Sequence, residues 1–252
     1  MQLQDYLKEL TFWKHHKVVW LTTTGSTNDD LKEIWRKPQF FHSLEVADQQ
    51  TNGKGQYERK WASKNDEQAL MFSFSAEVKE YEFPISMIAG VALAATLQKV
   101  GLSPEKYWLK WPNDIWACQK KLAGILTEST CFTNGFRCVI GIGINFKPLG
   151  EEGIDSISLE ELGLKISREE FLKIFCLSWN DIFSKSAKEQ CEDWQSYADG
   201  FRQTPHLVKT GKEQPFLALP QNITSDGSLI VKTANGTEKE ILTIYKWSYL
   251  RR

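Results

Sequence analysis

Between Tyr107 and Phe146 the chain offers four apolar segments, Tyr107–Trp111, Ile115–Cys118, Leu122–Glu128 and Phe136–Phe146, joined by turns. Such a run builds an antiparallel or mixed sheet, and the rest of the chain must pack around it. Upstream, Val18–Thr23 and Leu44–Ala47 read as strands, and Ser26 to Asp29 offer capping oxygens to a helix reaching Trp35. Ala69–Ala76 resumes strand character, and the Ala-rich run Pro84–Val100 reads as a helix buried against the sheet. Downstream, Ser167 and Glu170 form a capping box before Phe171, Ile174, Phe175, Trp179, Ile182 and Phe183, which keep helical spacing. From Pro205 the texture changes to short strands at Leu207–Thr210, Phe216–Leu219, Leu229–Lys232 and Glu240–Tyr245, split by Gly211, Asp226-Gly227 and Asn235-Gly236. The expected fold is α+β, a mixed or antiparallel sheet flanked by helices over residues 1–204, with a small β-barrel-like domain over 205–252.

Composition removes several classes of function. The 252 residues are 41% hydrophobic and 25% charged, which excludes disorder and fibrous structure. A balance of 31 basic against 32 acidic residues argues against the basic surface that nonspecific nucleic-acid binding requires, so no nucleic-acid partner is expected. Five cysteines without a CxxC pair suit reduced core residues in the cytoplasm, and the sequons at Asn222 and Asn235 are then accidental. Met1 to Lys17 lacks the apolar stretch of a signal peptide, and no run approaches the roughly 20 residues of a membrane span. Four scattered histidines and the lack of HExxH or GxSxG give no protein-held zinc and no nucleophilic triad.

The long polar stretch Asp48–Gln68 stands out, because such length without periodicity marks a binding loop or local disorder. Within it, Gly53 and Gly55 expose backbone N–H groups beside Lys54, Arg59 and Lys60, a chemistry suited to phosphate, although a flexible solvated loop reads equally well. Lys110-Trp111-Pro112-Asn113-Asp114 projects an amide and a carboxylate from strand ends, or is simply a tight hairpin satisfying its own backbone. Lys121 opens a strand whose Gly124 leaves room for a ligand, unless the lysine merely solubilises an edge. Gly141 and Gly143 sit inside an apolar strand, where glycine costs stability unless something packs close; a bulge accounts for one of them, less readily for both.

Read in order, Gly25 to Asn28, Gln50 to Trp61, Lys110 to Asp114, Lys121 to Leu126 and Gly141 to Asn145 resemble the consecutive signature blocks of the biotin protein ligases. The resemblance covers about residues 15 to 150 by motif, and the rest through that family's SH3-like C-terminal domain. It implies a class II synthetase-like catalytic domain, and the short stretch before Val18 implies the form without a DNA-binding domain. It also implies a two-step reaction with ATP and Mg²⁺: biotin becomes biotinyl-5′-adenylate, then passes to a lysine of a biotin carboxyl carrier domain. By the same resemblance, Ser26, Thr27, Asn28 and Gln50 bind the ureido head of biotin, with Gly53, Lys54, Gly55, Gln56, Gly124, Gly141 and Gly143 around it. Lys121 bridges the biotin carboxyl and the α-phosphate; Lys54, Arg59, Trp61, Asn113 and Asn145 serve ATP. Asp114 either stands in the Mg²⁺ region or positions the carrier lysine, so the catalytic set is Lys121, Lys54, Asp114 and Arg59.

Three departures fall in the glycine-rich loop. Lys54 replaces the usual arginine, Gln56 a second loop arginine, and Glu58 a glycine, which together weaken retention of the adenylate. A lipoate or octanoate ligase is the nearest rival reading, a non-catalytic biotin- or nucleotide-binding relative the second, and a DNA-binding repressor the third. The oligomeric state is left open, a homodimer included.

Overall fold

A computed structural model describes residues 2–35, 37, 42–55, 61, 68–80, 82–132, 135–149, 155–203, 205–208 and 216–241. Its frame is a seven-stranded mixed sheet of β1 (Lys17–Thr24), β2 (Ser43–Gln50), β3 (Ala69–Val78), β4 (Tyr107–Lys110), β5 (Asp114–Ala117), β6 (Lys120–Phe132) and β7 (Gly135–Asn145). The spatial order is β1-β2-β3-β7-β6-β5-β4. β1 and β2 run parallel, joined through the helix α2 (Thr27–Trp35), and every other neighbouring pair is antiparallel. The turn-linked segments that opened the sequence reading thus form four of the seven strands, and the parallel pair makes the sheet mixed.

Side-chain alternation sorts the two faces. Along β7, Ile140, Ile142 and Ile144 enter the core, while Gly141 and Gly143 face the other way, toward Asn28 of α2 and toward Trp61. The core face is covered by α3 (Ile85–Lys99), buried on nearly every side, and by α4 (Arg168–Phe183), whose Phe175 and Trp179 meet Phe74 at ring-centroid distances of 6.1 and 4.7 Å. Neither helix, nor any other among the described residues, is long and apolar enough to cross a membrane. Ser167 caps α4 as expected, its hydroxyl accepting from Glu170 N at 3.1 Å. A complete capping box also stands at Ser186 and Glu189, at the head of α5 (Ala187–Ser196), a signal the sequence reading passed over. Two short helices, α1 (Leu3–Leu7) and α6 (Asp199–Arg202), were likewise not expected.

The C-terminal part holds a four-stranded antiparallel sheet, β8 (His206–Val208), β9 (Phe216–Ile223), β10 (Leu229–Thr233) and β11 (Glu238–Ile241), consistent with an SH3-like domain. The expected ends of the first and last strands, at Thr210 and Tyr245, lie outside the described residues. Ala218, Ile223, Leu229, Val231 and Ile241 join the same apolar core as the large sheet. The turn at Gly227 is the tightest junction: Trp111 Nε1 donates to Gly227 O at 2.9 Å, and a Cβ there would stand 2.5 Å from Pro84. Since Gly227 also has φ +80, glycine is required on both counts.

His16 is a buried polar group with a pH consequence. It is 2% exposed, and its Nε2 lies 2.8 Å from Ser75 O. Burial, reinforced by His42, pushes its pKa from 6.5 down to about 4. The unfolded chain therefore takes up a proton below 6.5 that the folded one refuses until about pH 4, so stability present above 6.5 is lost as pH falls across that window. At 1.36 kcal/mol per unit the loss is about 3 kcal/mol. Urea unfolding at pH 7 and pH 4.5 should show this, and His16→Gln should flatten the difference; an unchanged pH slope would refute it.

Candidate active site

The turn after β1 and the first turn of α2 carry Ser26, Thr27 and Asn28 to the glycine-bearing face of the sheet, where all three are buried. The sequence reading assigned them as caps of that helix, but the cap comes from elsewhere. Gln50, at the end of β2, turns its Oε1 to accept from Thr27 N at 2.8 Å, which frees the short side chains for the cavity. Ser73 from β3 completes the set: its hydroxyl lies 2.6 Å from Thr27 Oγ1 and donates to Asn28 Oδ1 at 2.6 Å. Sequence reasoning missed Ser73, although a serine flanked by Phe72 and Phe74 signals a strand with one polar face. Asn28 Nδ2 then donates to Glu128 Oε2 at 3.0 Å, which fixes which way its amide points.

The glycines are explained by what packs on them. A Cβ on Gly141 would stand 2.0 Å from Asn28 Oδ1. Gly124 and Gly143 pair across β6 and β7, and the Trp61 indole lies over both, 3.1 and 2.5 Å from the Cβ each lacks. So the expected backbone room exists, occupied here by Asn28 and Trp61. Trp61 is itself held by its backbone N–H, which donates to Gly53 O at 3.0 Å, and Thr51 N and Asn52 N donate to Thr24 O and Gly25 O, both at 2.9 Å.

At the other end of the cavity Lys121 stands on β6, its Nζ 2.8 Å from Asp114 Oδ1 on β5 and 5.8 Å from the Trp61 ring centroid. Asn113 Nδ2 donates to Ile125 O at 2.6 Å, which pins the turn before Asp114 to β6. One cavity is lined by Ser26, Thr27, Asn28, Gln50, Lys54, Gly55, Trp61, Asn113, Lys121, Gly124, Gly141 and Gly143. Its volume is about 50 Å³, and the Trp61 indole takes up part of the space over Gly124 and Gly143. Asp114 reaches the cavity through Lys121, and Gly53 through Trp61. Asn145 is not in the lining: it is buried, and Nδ2 donates to Lys121 O at 3.3 Å and Ile157 O at 3.2 Å, so it fixes the backbone of the lysine. Gln56 and Arg59 lie outside the described residues.

No three His, Cys, Asp or Glu side chains among the described residues converge as metal donors. Asp114 gives one oxygen to Lys121, and a single carboxylate beside substrate phosphates is the kind of donor set that Mg²⁺ takes, so Asp114 would be the residue to hold it.

A polar pocket ending in a lysine, built on one face of a mixed sheet, defines a concave site with a few convergent polar groups, the usual form of a small-molecule site. The profile of the Biotin/lipoate A/B protein ligase family matches residues 20–145, half of the chain, and the protein belongs to that family. It is 34% identical over 161 residues to the biotin acetyl-CoA-carboxylase ligase of Mycobacterium tuberculosis, covering 60% of this chain and 57% of that protein. It is 29% identical over 211 residues to the bifunctional ligase/repressor BirA of Bacillus spizizenii, covering 78% of this chain and 63% of that one. The chain thus spans less than two thirds of the length of these curated relatives. Among solved structures, the biotin protein ligase of Aquifex aeolicus in complex with biotin and ATP superposes with a TM-score of 0.74 at 27% identity, covering 90% of this chain and 96% of that one.

Proposed function

We propose that this chain is an ATP-dependent biotin ligase that makes biotinyl-5′-adenylate and passes the biotinyl group to a lysine of a carboxylase's biotin carrier domain. The observation that carries the reading is that Lys121 shares one cavity with Ser26, Thr27, Asn28 and Gln50. A cyclic urea presents two N–H donors and a carbonyl acceptor, which the hydroxyls and amides of that wall can match without leaving a buried group unpaired. The biotin carboxylate then lies toward Lys121, whose ammonium neutralises charge gathering on the α-phosphate as a carboxylate oxygen bonds to phosphorus and pyrophosphate leaves. Asp114, its Oδ1 2.8 Å away, keeps that ammonium aimed. In the second step the carrier amine bonds to the acyl carbon, AMP leaves and the amine gives up a proton.

Lys54 and Trp61 serve the phosphates and cover the adenylate, and Asn113 holds its turn in place. The buried Oδ1 of Asn145, which has no partner among the described residues, is the acceptor left for adenine's amino group. The reading divides the protein into a catalytic part, 1–204, and an SH3-like part, 205–252, and places it in the cytoplasm, in keeping with five free cysteines.

Incubation with ATP, Mg²⁺ and biotin should release pyrophosphate, and mass spectrometry of an added biotin carrier domain should show one biotinyl group on one lysine. No pyrophosphate with biotin, or a preference for lipoate or octanoate, would overturn the reading.

A further inference from the structure

Lys54 stands where the resemblance calls for arginine, and the structure supplies it with a partner. Its Nζ lies 2.6 Å from Asp29 Oδ2 in the first turn of α2. The other oxygen, Asp29 Oδ1, is 2.8 Å from Lys32 Nζ, and Lys32 in turn is 2.7 Å from Glu128 Oε1. Glu128 also takes the amide of Asn28 from the cavity wall. Asp29 is therefore fixed from behind, in a four-charge network that alternates in sign and ends on the head-group pocket. Burial works to raise the Asp29 carboxyl, but the hydrogen bonds from Lys32 and Lys54 outweigh it and hold it below its ordinary value.

We propose that Asp29 is a positioning residue, which holds the Lys54 ammonium at the cavity edge where the phosphate of the adenylate lies. A lysine carries a point charge on a flexible stem, unlike the fork of arginine, so its placement costs side-chain entropy unless a fixed counter-ion has already selected the conformer. Asp29 provides that counter-ion, and an ammonium with three donors can keep it while reaching phosphate. The head-group wall and the phosphate-binding cation are thereby joined through Asn28, Glu128, Lys32 and Asp29. The role of Lys54 at phosphate rests on the ligase reading; its restraint by Asp29 does not.

Two measurements separate these. In the ligand-free protein, cleavage after Lys54 by a lysine-specific protease, mapped by mass spectrometry, should be about three- to fivefold faster in Asp29→Ala than in wild type, and restored in Asp29→Glu, in line with the modest coupling of part-exposed pairs. With adenylate formed in place from biotin and ATP, its release should quicken by a similar factor in Asp29→Ala and show no such change when Asp29→Ala is added to Lys54→Met. Unchanged cleavage, slower release, or an effect that persists in the Lys54→Met background would each overturn the proposal. Failure of wild type to form adenylate would remove the ligase reading while the cleavage result still decides whether Asp29 restrains Lys54.

Discussion

Lys121→Gln is expected to slow biotin-dependent exchange of pyrophosphate into ATP by about 10²–10³-fold, the scale reported for removing one group aimed at developing charge. The ammonium stands at the far end of the cavity from Ser26 and Gln50, so its loss touches the reacting carboxylate and phosphate while the head-group wall stays intact. Biotin affinity, read by calorimetry without ATP, should therefore change much less than the exchange rate. Stability should fall by no more than about 1 kcal/mol, because the Asp114 pair is partly exposed at 36% and 21%. Lys121→Arg keeps the charge but moves it, and should recover only part of the rate. Exchange by Lys121→Gln within tenfold of wild type would remove the lysine from the chemistry.

The second large effect is expected at Gly141. The Cβ of Gly141→Ala would meet Asn28 Oδ1 at 2.0 Å, and Asn28 can shift only by giving up its hydrogen bonds to Ser73 and Glu128. Overpacking at such a site costs about 1–3 kcal/mol of stability. It also displaces the amide expected to meet the ureido group, and leaving one buried polar group unpaired costs about 1–3 kcal/mol, or roughly five- to 150-fold in biotin affinity. Gly25→Ala is the contrast: its Cβ meets nothing within 4 Å, so both quantities should stay near wild type. Calorimetric titration with biotin and urea midpoints for the two variants test this pair, and a Gly141→Ala protein that binds biotin normally would contradict the packing argument.

The parts of this site legible in the sequence were those carried by local chemistry. Two glycines inside the apolar run Gly141 to Ile144 favoured a close approach over a bulge, and the structure puts Asn28 and Trp61 there. The turn signals between Tyr107 and Phe146 gave the antiparallel half of the sheet because adjacent strands pair through short connections. What was not legible depends on partners far apart in the chain. Gln50 capping Thr27, and Glu128 holding Asn28, join residues that only the closed sheet brings together. Ser73 was legible as the polar face of an alternating strand, but not as a member of the site, because its partners Thr27 and Asn28 lie far away in the chain. The assignment of helix caps at Ser26 to Asp29 misplaced the cap for the same reason: the local rule was sound, but a distant glutamine already satisfied the donor.

The indole of Trp111, bonded to the Gly227 carbonyl, belongs to the turn that presents Asn113 and Asp114. The small sheet is therefore a splint for the reactive end of the large one. Clipping the chain near residue 204 would strip the covering from Pro84 and Met87 and leave that turn braced from one side only, so on the ligase reading calorimetry should find biotin affinity kept in the truncated protein while pyrophosphate exchange is lost.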